Sequence, residues 1–190
     1  MKKYTTAITE RNGGIHSPKA YKKMIAMLSS HQFKSPRLYH LILMEDIEGN
    51  GATRFQKALK VICNKLRHEN INYRWRACLE VDKEKGLHFH VFLLANAERK
   101  NPDALINTKP DGWLKSFLQR HAMKLYLSPP KADMHRVGGI HDGKQLNYAT
   151  LAGEKLNDCI EWISYLVKKR SKPENLKYIY FSSRDSKTRD

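Results

Sequence analysis

The sequence contains few cysteines and no long apolar segment. Its three cysteines, Cys63, Cys78 and Cys159, are widely spaced and form no CxxC pair. This spacing argues against a disulfide framework and against a cysteine-based zinc site. No apolar run is long enough to cross a bilayer, and the N-terminal segment lacks the apolar stretch of a signal peptide. We therefore expect a cytoplasmic protein with reduced thiols and no membrane partner.

Acidic residues are also scarce. The 190 residues include 19 Asp and Glu against 35 Lys and Arg, which gives a formal net charge of +16. Neither folding nor solubility requires such an excess, so a polyanionic partner is expected, and nucleic acid is the first choice. A membrane surface is the rival, but the basic residues do not gather on one amphipathic helix. The length suits one domain with a hydrophobic core of its own.

The apolar periodicity predicts alternating strands and helices. The strand candidates are residues 37–46, 72–82, 87–96, a short segment at 131–139, and 176–183. The first helix candidate begins at Ser17, and three others span residues 55–70, 113–127 and 154–170. From the first strand onward, the order β-α-β-β-α-β is that of a ferredoxin-like, or RRM-like, split βαβ fold. We expect an α+β protein with a five-stranded antiparallel sheet that carries two helices on one face.

This order also divides the chain. Residues 1–36 are predicted to be a basic N-terminal arm with one helix, 37–184 the main domain, and 185–190 a tail. The tail and the arm match no motif that assigns them a function.

The stretch GLHFHVFLL, residues 86–94, places two histidines in an apolar strand. His88 and His90 share one face because strand side chains alternate. A three-residue loop that ends at Gly86 sets Glu80 opposite His90 and Asp82 opposite His88. Two imidazoles and one or two carboxylates on one face form a candidate site for a divalent metal. The alternative is a hydrogen-bonded, inert histidine pair, and Asp82 is the weaker ligand because it lies near the turn.

The last predicted helix carries a tyrosine beside basic residues. Tyr165 lies off the apolar stripe, and Lys168 and Lys169 follow one helical turn later. A phenol close to ammonium groups ionises more easily than its free pKa of about 10 implies. Tyr165 is thus a candidate nucleophile. The alternative is a flank residue that covers the edge of the core.

Together these two motifs resemble those of the HUH endonucleases. The matching residues are His88-Phe89-His90 and the downstream Tyr-x-x-Lys pattern of Tyr165 and Lys168. The family includes rolling-circle replication initiators, relaxases and single-strand transposases. The pairing of HFHVFLL with WISYLVKKRSKP is similar to the replication proteins of filamentous, inovirus-type phages and their prophage relatives. The resemblance covers roughly residues 37–184 and implies the HUH nuclease fold.

The resemblance implies a metal-dependent nickase of the single-tyrosine type. His88 and His90, with a third polar ligand, would hold Mg²⁺ or Mn²⁺, and the hairpin register favours Glu80 as that ligand. Tyr165 would attack the scissile phosphate, leaving a 5′-phosphotyrosine link and a free 3′-hydroxyl. Lys168 would be the cation beside the reaction.

The resemblance also indicates the partners. Single-stranded DNA, or the hairpin of an origin, would be the substrate, and no small-molecule substrate is expected. Arg74 and Arg76 share a strand face with Glu80, so we expect them, together with Lys169, to contact the DNA backbone. The chain has no GxxxxGK[ST] motif, so unwinding would fall to a separate helicase. Such an enzyme would initiate rolling-circle replication of a phage, plasmid or satellite element, nick rival DNA, or serve transposition.

A non-enzymic binding module remains an alternative. The same strand order suits RRM-like sheets, whose exposed aromatic side chains stack on bases. In such a module the stacking residues would be Tyr39, Tyr73, Trp75 and Phe89. Against this alternative, the sequence has no aromatic RNP1 string, and Phe89 is expected to face the core.

Overall fold

The structure is a computed structural model of the chain. It describes residues 13–45, 51–82, 86–106, 113–120, 123–127, 138–141, 144–151, 155–169, 172–173 and 179–183. The predicted tail at 185–190 lies outside these ranges, as does most of the strand candidate at 131–139. The division of the chain at residue 36 stays a prediction.

Helices and strands alternate along the described chain. The helices are α1 (Pro18–Ser29), α2 (Gly51–His68), α3 (Asp103–Ile106), α4 (Trp113–Arg120) and α5 (Lys155–Ser164), which a 3₁₀ turn (Tyr165–Val167) follows. The strands are β1 (Pro36–Glu45), β2 (Tyr73–Asp82), β3 (Gly86–Asn96), β4 (Met123–Leu127), β5 (Gly138–His141), β6 (Lys144–Thr150) and β7 (Tyr180–Ser182).

These strands form one antiparallel sheet around β1. On one side β1 pairs with β3, which pairs in turn with β2, and β2 pairs with β7. On the other side β1 pairs with β6 through its first residues and with β4 through its last. The order β4-β1-β3-β2 is compatible with a ferredoxin-like fold. The α+β class and the antiparallel sheet are thus confirmed, and the sheet has seven strands where the sequence predicted five.

The additional strands lie where a helix and a loop were expected. The helix predicted over 113–127 ends at Arg120, and the MKLYL segment that follows forms β4 against Leu41–Glu45. The KQLNYAT segment, expected to be a loop, forms β6. Both segments pair with the edge of β1 that β3 does not occupy, and this pairing satisfies backbone N–H and C=O groups that would otherwise lack hydrogen bonds. Tertiary pairing therefore overrides the local pattern.

The two faces of the sheet are covered by different helices. Odd-numbered residues of the three central strands, such as Leu41, Leu79 and Val91, pack with α2 and with Leu118 of α4 in one cluster. The two helices predicted on one face are thus present, and the short α3 joins them there through Leu105 and Ile106. Even-numbered residues, such as Phe92, pack with α1 and α5 in a second cluster.

Helix α1 belongs to this second cluster and is not a free arm. Its start follows from Ser17, whose side chain accepts a hydrogen bond from the Ala20 N–H at 3.2 Å, and from proline at the first helical position. Its buried residues are Tyr21, Met24, Met27 and Leu28. None of the described helices has the length and apolar character needed to cross a membrane.

Candidate metal and tyrosine site

The β2–β3 hairpin brings the predicted ligands together in a register that differs from the expected one. Glu80 lies opposite His88, and Asp82 lies opposite Gly86. The prediction that Glu80 lies opposite His90 is therefore wrong by two residues. The reason is that Gly86, at φ 62°, is already the first residue of β3 instead of the last residue of the loop. A shift by two keeps every side chain on its face, and the side chain of Asp82 lies outside the described residues.

Glu80, His88 and His90 form a compact buried cluster. One ligand atom from each lies within 4.8 Å of the other two, and the residues are 1%, 1% and 2% exposed. The Nδ1 atom of His88 lies 3.0 Å from the carbonyl oxygen of Gly86. An Nδ1–H that donates to this carbonyl makes Nε2 the nitrogen that could bind a metal, as in many metal-bound histidines.

The Nε2 atom of His90 faces the same space. It lies 3.5 Å from Glu80 Oε2, and it has no hydrogen-bond partner within the part of the chain that the structure describes. A buried polar atom without a partner is costly in a folded protein, and a bound cation would satisfy it. Together with the spacing of the three ligand atoms, this observation indicates that the residues could hold a metal ion.

Burial lowers the pKa of His90 to about 4, although the nearby Glu80 carboxylate acts in the opposite direction. Burial alone raises the pKa of Glu80, but its polar contact with His90 and the charges of Lys172 and Lys168 hold this pKa below its usual range. At neutral pH the cluster thus presents a neutral imidazole beside an ionised carboxylate. Two imidazoles and one carboxylate suit several divalent metals, including Mn²⁺, Fe²⁺ and Zn²⁺.

His40, on the neighbouring strand β1, contacts the ring of His90 and fixes its orientation. Its Nε2 atom lies 2.9 Å from Nδ1 of His90, and its own ring is stacked on Phe92 with 4.3 Å between centroids and 4° between planes. Burial, followed by the proximity of His90, keeps the pKa of His40 well below its usual value. The sequence analysis missed this residue. The signal was present, because His40 is a lone imidazole at an even position within the otherwise apolar stretch LYHLILM of β1.

Two buried lysines contact the Glu80 carboxylate. Lys168 Nζ lies 2.9 Å from Oε2, and Lys172 Nζ donates to Oε1 and lies 3.3 Å from the Sγ of Cys78. Lys168 was predicted as a nearby cation, whereas Lys172 was missed. No sequence signal marks Lys172, since it follows the end of the helix and comes to Glu80 only through the fold.

Tyr165 lies beside the histidines. Its ring centroid is 5.0 Å from that of His90, with a 70° angle between the planes, and Lys168 Nζ is 3.4 Å from the centroid of the tyrosine ring. The helix predicted over 154–170 ends at Ser164, and Tyr165 begins a 3₁₀ turn. In a 3₁₀ turn side chains three residues apart eclipse one another, which places Lys168 over Tyr165.

The turn is held by the segment before α1. The backbone N–H of His16 donates to the carbonyl oxygen of Val167 at 2.7 Å, and Ile15 forms an isolated antiparallel bridge with Lys168. Extended pairing draws the chain out of helical geometry, which is why the predicted helix is too long.

The residues predicted to bind DNA do not all lie near this cluster. Lys169 is exposed directly after Lys168. Arg74 and Arg76 share the sheet face of Glu80, as expected, but both are half-buried. Arg74 donates to Ser30 Oγ at the end of α1, at 3.3 Å. A separation of six residues puts Arg74 about 20 Å from Glu80 along the strand, so Arg74 lies away from the cluster, and DNA binding by the three residues stays a prediction.

Comparisons with known proteins do not assign the chain to a family. No family model, no curated protein and no solved structure matches it. The function is therefore inferred from the geometry of the site, with the HUH resemblance as a prediction.

Proposed function

We propose that this protein is a metal-dependent single-strand DNA nickase and joining enzyme of the HUH type. The supporting observation is that Tyr165, the residue of the Tyr-x-x-Lys motif, lies beside a buried Glu80, His88 and His90 cluster. Their sequence positions are far apart, and chance would rarely bring a predicted nucleophile to a predicted metal site. In this role the enzyme would initiate rolling-circle replication of a mobile element or nick rival DNA.

Glu80, His88 and His90 would hold the metal, Mn²⁺ or Mg²⁺. A bound divalent cation supplies a Lewis acid for the phosphoryl oxygen. Tyr165 forms the new bond from its phenolic oxygen to phosphorus, the bond from phosphorus to the 3′-oxygen breaks, and the phenolic proton ends on that 3′-oxygen. One phosphodiester replaces another, so the reaction can reverse and rejoin strands.

The charges of the site favour an anionic substrate. The carboxylate of Glu80 is outnumbered by the ammonium groups of Lys168 and Lys172, both buried. A divalent cation would add to this positive excess, and a phosphodiester would offset it. Lys168 already lies over the ring of Tyr165, where it would stabilise negative charge on the phenolic oxygen or the phosphate. By reciprocal coupling, DNA and metal should each tighten the binding of the other.

The test is formation of a covalent adduct. The protein is incubated with Mn²⁺ and a randomised single-stranded oligonucleotide pool, labelled at either end, and then denatured. A 5′-phosphotyrosine link retains the strand 3′ of the nick, so only the 3′-labelled pool should give labelled protein. Tyr165→Phe should abolish the adduct, because phenylalanine cannot attack phosphorus. Tyr148→Phe is the matched control, since Tyr148 is half-buried like Tyr165 but packs on the cluster of the opposite sheet face.

Two results would contradict the proposal. One is an adduct that persists in Tyr165→Phe. The other is DNA binding with no adduct in Mn²⁺ and no sensitivity to EDTA, which is what a binding module would show. Two of the four residues expected to stack on bases in such a module, Tyr39 and Phe89, are only 1% and 2% exposed and are therefore not accessible to bases.

A further inference from the structure

An open groove of about 1120 Å³ lies on the face of the sheet opposite the metal cluster. Helix α2 and the strands β2 and β7 enclose it. Tyr73 and Trp75 occupy odd positions of β2 and therefore point toward the α2 face, whereas Glu80 points toward the α1 and α5 face. The groove is thus separated from the candidate active site by the thickness of the sheet.

The groove is basic and contains no acidic side chain among its described lining residues. Lys60, Arg67 and Arg99 line it, and all three are exposed. The remaining polar lining consists of amides and hydroxyls, including Asn64. A groove of this kind attracts an anion along its length and offers neutral donors and acceptors.

Aromatic rings form its floor. Tyr73, Trp75 and Phe181 are half-buried and pack on the central core. The hydroxyl of Tyr73 accepts from Arg67 Nη2 at 3.1 Å, and the ring of Phe181 lies 6.0 Å from that of Phe89 in the core. Rings held in place on one side and open on the other are the platforms on which unpaired bases stack.

We propose that this groove binds single-stranded nucleic acid, with phosphates at Lys60 and Arg99 and bases on Trp75 and its aromatic neighbours. An acidic peptide would use the charges but has no need of the rings. A duplex would use the charges but keeps the faces of its bases stacked inside. The combination of rings, cations and amides without a carboxylate favours an unpaired strand. The inference does not depend on the proposed nickase activity, because no residue of the metal cluster takes part.

The test compares two double variants that remove the same charge. Lys60→Ala with Arg99→Ala removes two cations from the groove. Lys22→Ala with Lys57→Ala removes two exposed lysines outside the groove, with Lys57 on the same helix α2 as Lys60. Binding of fluorescently labelled oligo-dT is measured in EDTA over a range of salt concentrations.

The groove variant should bind about 10-fold or more weakly, and its log–log salt slope should fall by about 1.4, at about 0.7 for each phosphate contact on a single strand. The control pair should change much less. Equal losses in the two double variants would overturn the proposal. So would oligo-dT binding that the groove variant retains in full.

The aromatic floor gives a second measurement. Trp75→Leu should weaken oligo-dT binding about 5- to 150-fold, the range for losing one stacked base, whereas Trp75→Phe should retain most of the affinity. Poly-glutamate serves as the acidic-peptide probe, and its binding should not respond to Trp75→Leu. Equal loss of both ligands would mean that the ring does not distinguish an unpaired strand from an acidic peptide, and unchanged oligo-dT binding would mean that charge alone defines the groove. Either result would refute the stacking proposal.

A failure of the groove proposal can be distinguished from a failure of the nickase proposal. The groove assays run in EDTA with an oligonucleotide that need not be cleaved, whereas the adduct assay depends on Tyr165 and Mn²⁺. Thermal melts of each variant confirm that it is folded, and Lys60 and Arg99 are exposed enough for their removal to leave the core intact.

Discussion

His40 offers the most direct test of the metal cluster, because its polar contact with the cluster is the one to Nδ1 of His90. When His90 Nε2 binds a cation, the ring proton resides on Nδ1 and donates to His40 Nε2, 2.9 Å away. His40→Leu removes this acceptor and leaves the Nδ1–H group buried without a partner. His40→Gln restores an acceptor at a similar reach from the backbone.

The magnitude follows from the burial of both rings, which are 5% and 2% exposed. A buried donor that loses its acceptor costs about 1–3 kcal/mol. Partners of metal-bound histidines typically contribute 10- to 100-fold to metal affinity. We therefore expect the Kd for Mn²⁺ to rise about 10- to 100-fold in His40→Leu, and about 3-fold or less in His40→Gln.

Isothermal titration of Mn²⁺ into the DNA-free protein at pH 7.5 measures this effect. That pH lies far above the pKa of about 4 of His90, so protonation does not compete with the metal. His68→Leu is the control, since the side chain of His68 is 81% exposed on α2. The reasoning is refuted if His40→Leu binds Mn²⁺ as tightly as the wild type. It is equally refuted if the leucine and glutamine variants weaken binding to the same extent.

Three further predictions concern stability. Burial lowers the pKa of His90 from 6.5 to about 4, so between these pH values the unfolded chain binds more protons than the folded metal-free protein. The free energy of unfolding should therefore be highest above about pH 6.5 and should fall by up to about 3 kcal/mol as the pH drops toward 4. Urea denaturation measures this dependence, which should be flatter in His90→Gln. Lys172→Met removes one cation from Glu80 and should lower the free energy of unfolding by about 3 kcal/mol. Because the Glu80 carboxylate then lacks one of its cations, Mn²⁺ should raise the melting temperature of this variant more than that of the wild type. An equal rise would contradict the electrostatic account. Phe55→Ala removes the ring stacked at 3.6 Å on Phe89 and should cost about 3–5 kcal/mol, while the Mn²⁺ affinity of the remaining folded protein should stay unchanged in titration.

Much of the sheet could be predicted because alternation is a local property. The apolar and polar residues of NYRWRACLEVD and of LHFHV alternate. This alternation places Glu80, His88 and His90 on one face in any register with the same parity. This is why the cluster forms although the predicted register was off by two residues. Helix α2 was predicted for the same reason, since its buried positions Phe55, Leu59, Ile62, Cys63 and Leu66 repeat at helical spacing.

The ends of elements and the two additional strands could not be predicted in this way. Whether MKLYL continues a helix or forms a strand depends on whether β1 has a free edge to offer, and this is a property of a distant segment. The same holds for the end of α5, where pairing of Ile15 with Lys168 replaces helical geometry. Local propensities are too weak to decide such cases against tertiary hydrogen bonds.

The sequence by itself therefore determined which residues share a face, and through its two motifs it indicated the candidate ligands and the candidate nucleophile. Only the tertiary structure brought the supporting groups to them. His40 is 50 positions from His90 along the chain, and Lys172 is 92 positions from Glu80. Strand order and the path of the chain after α5 decide those two contacts, because the pattern around a residue specifies its own face but not the segment that comes to lie against it.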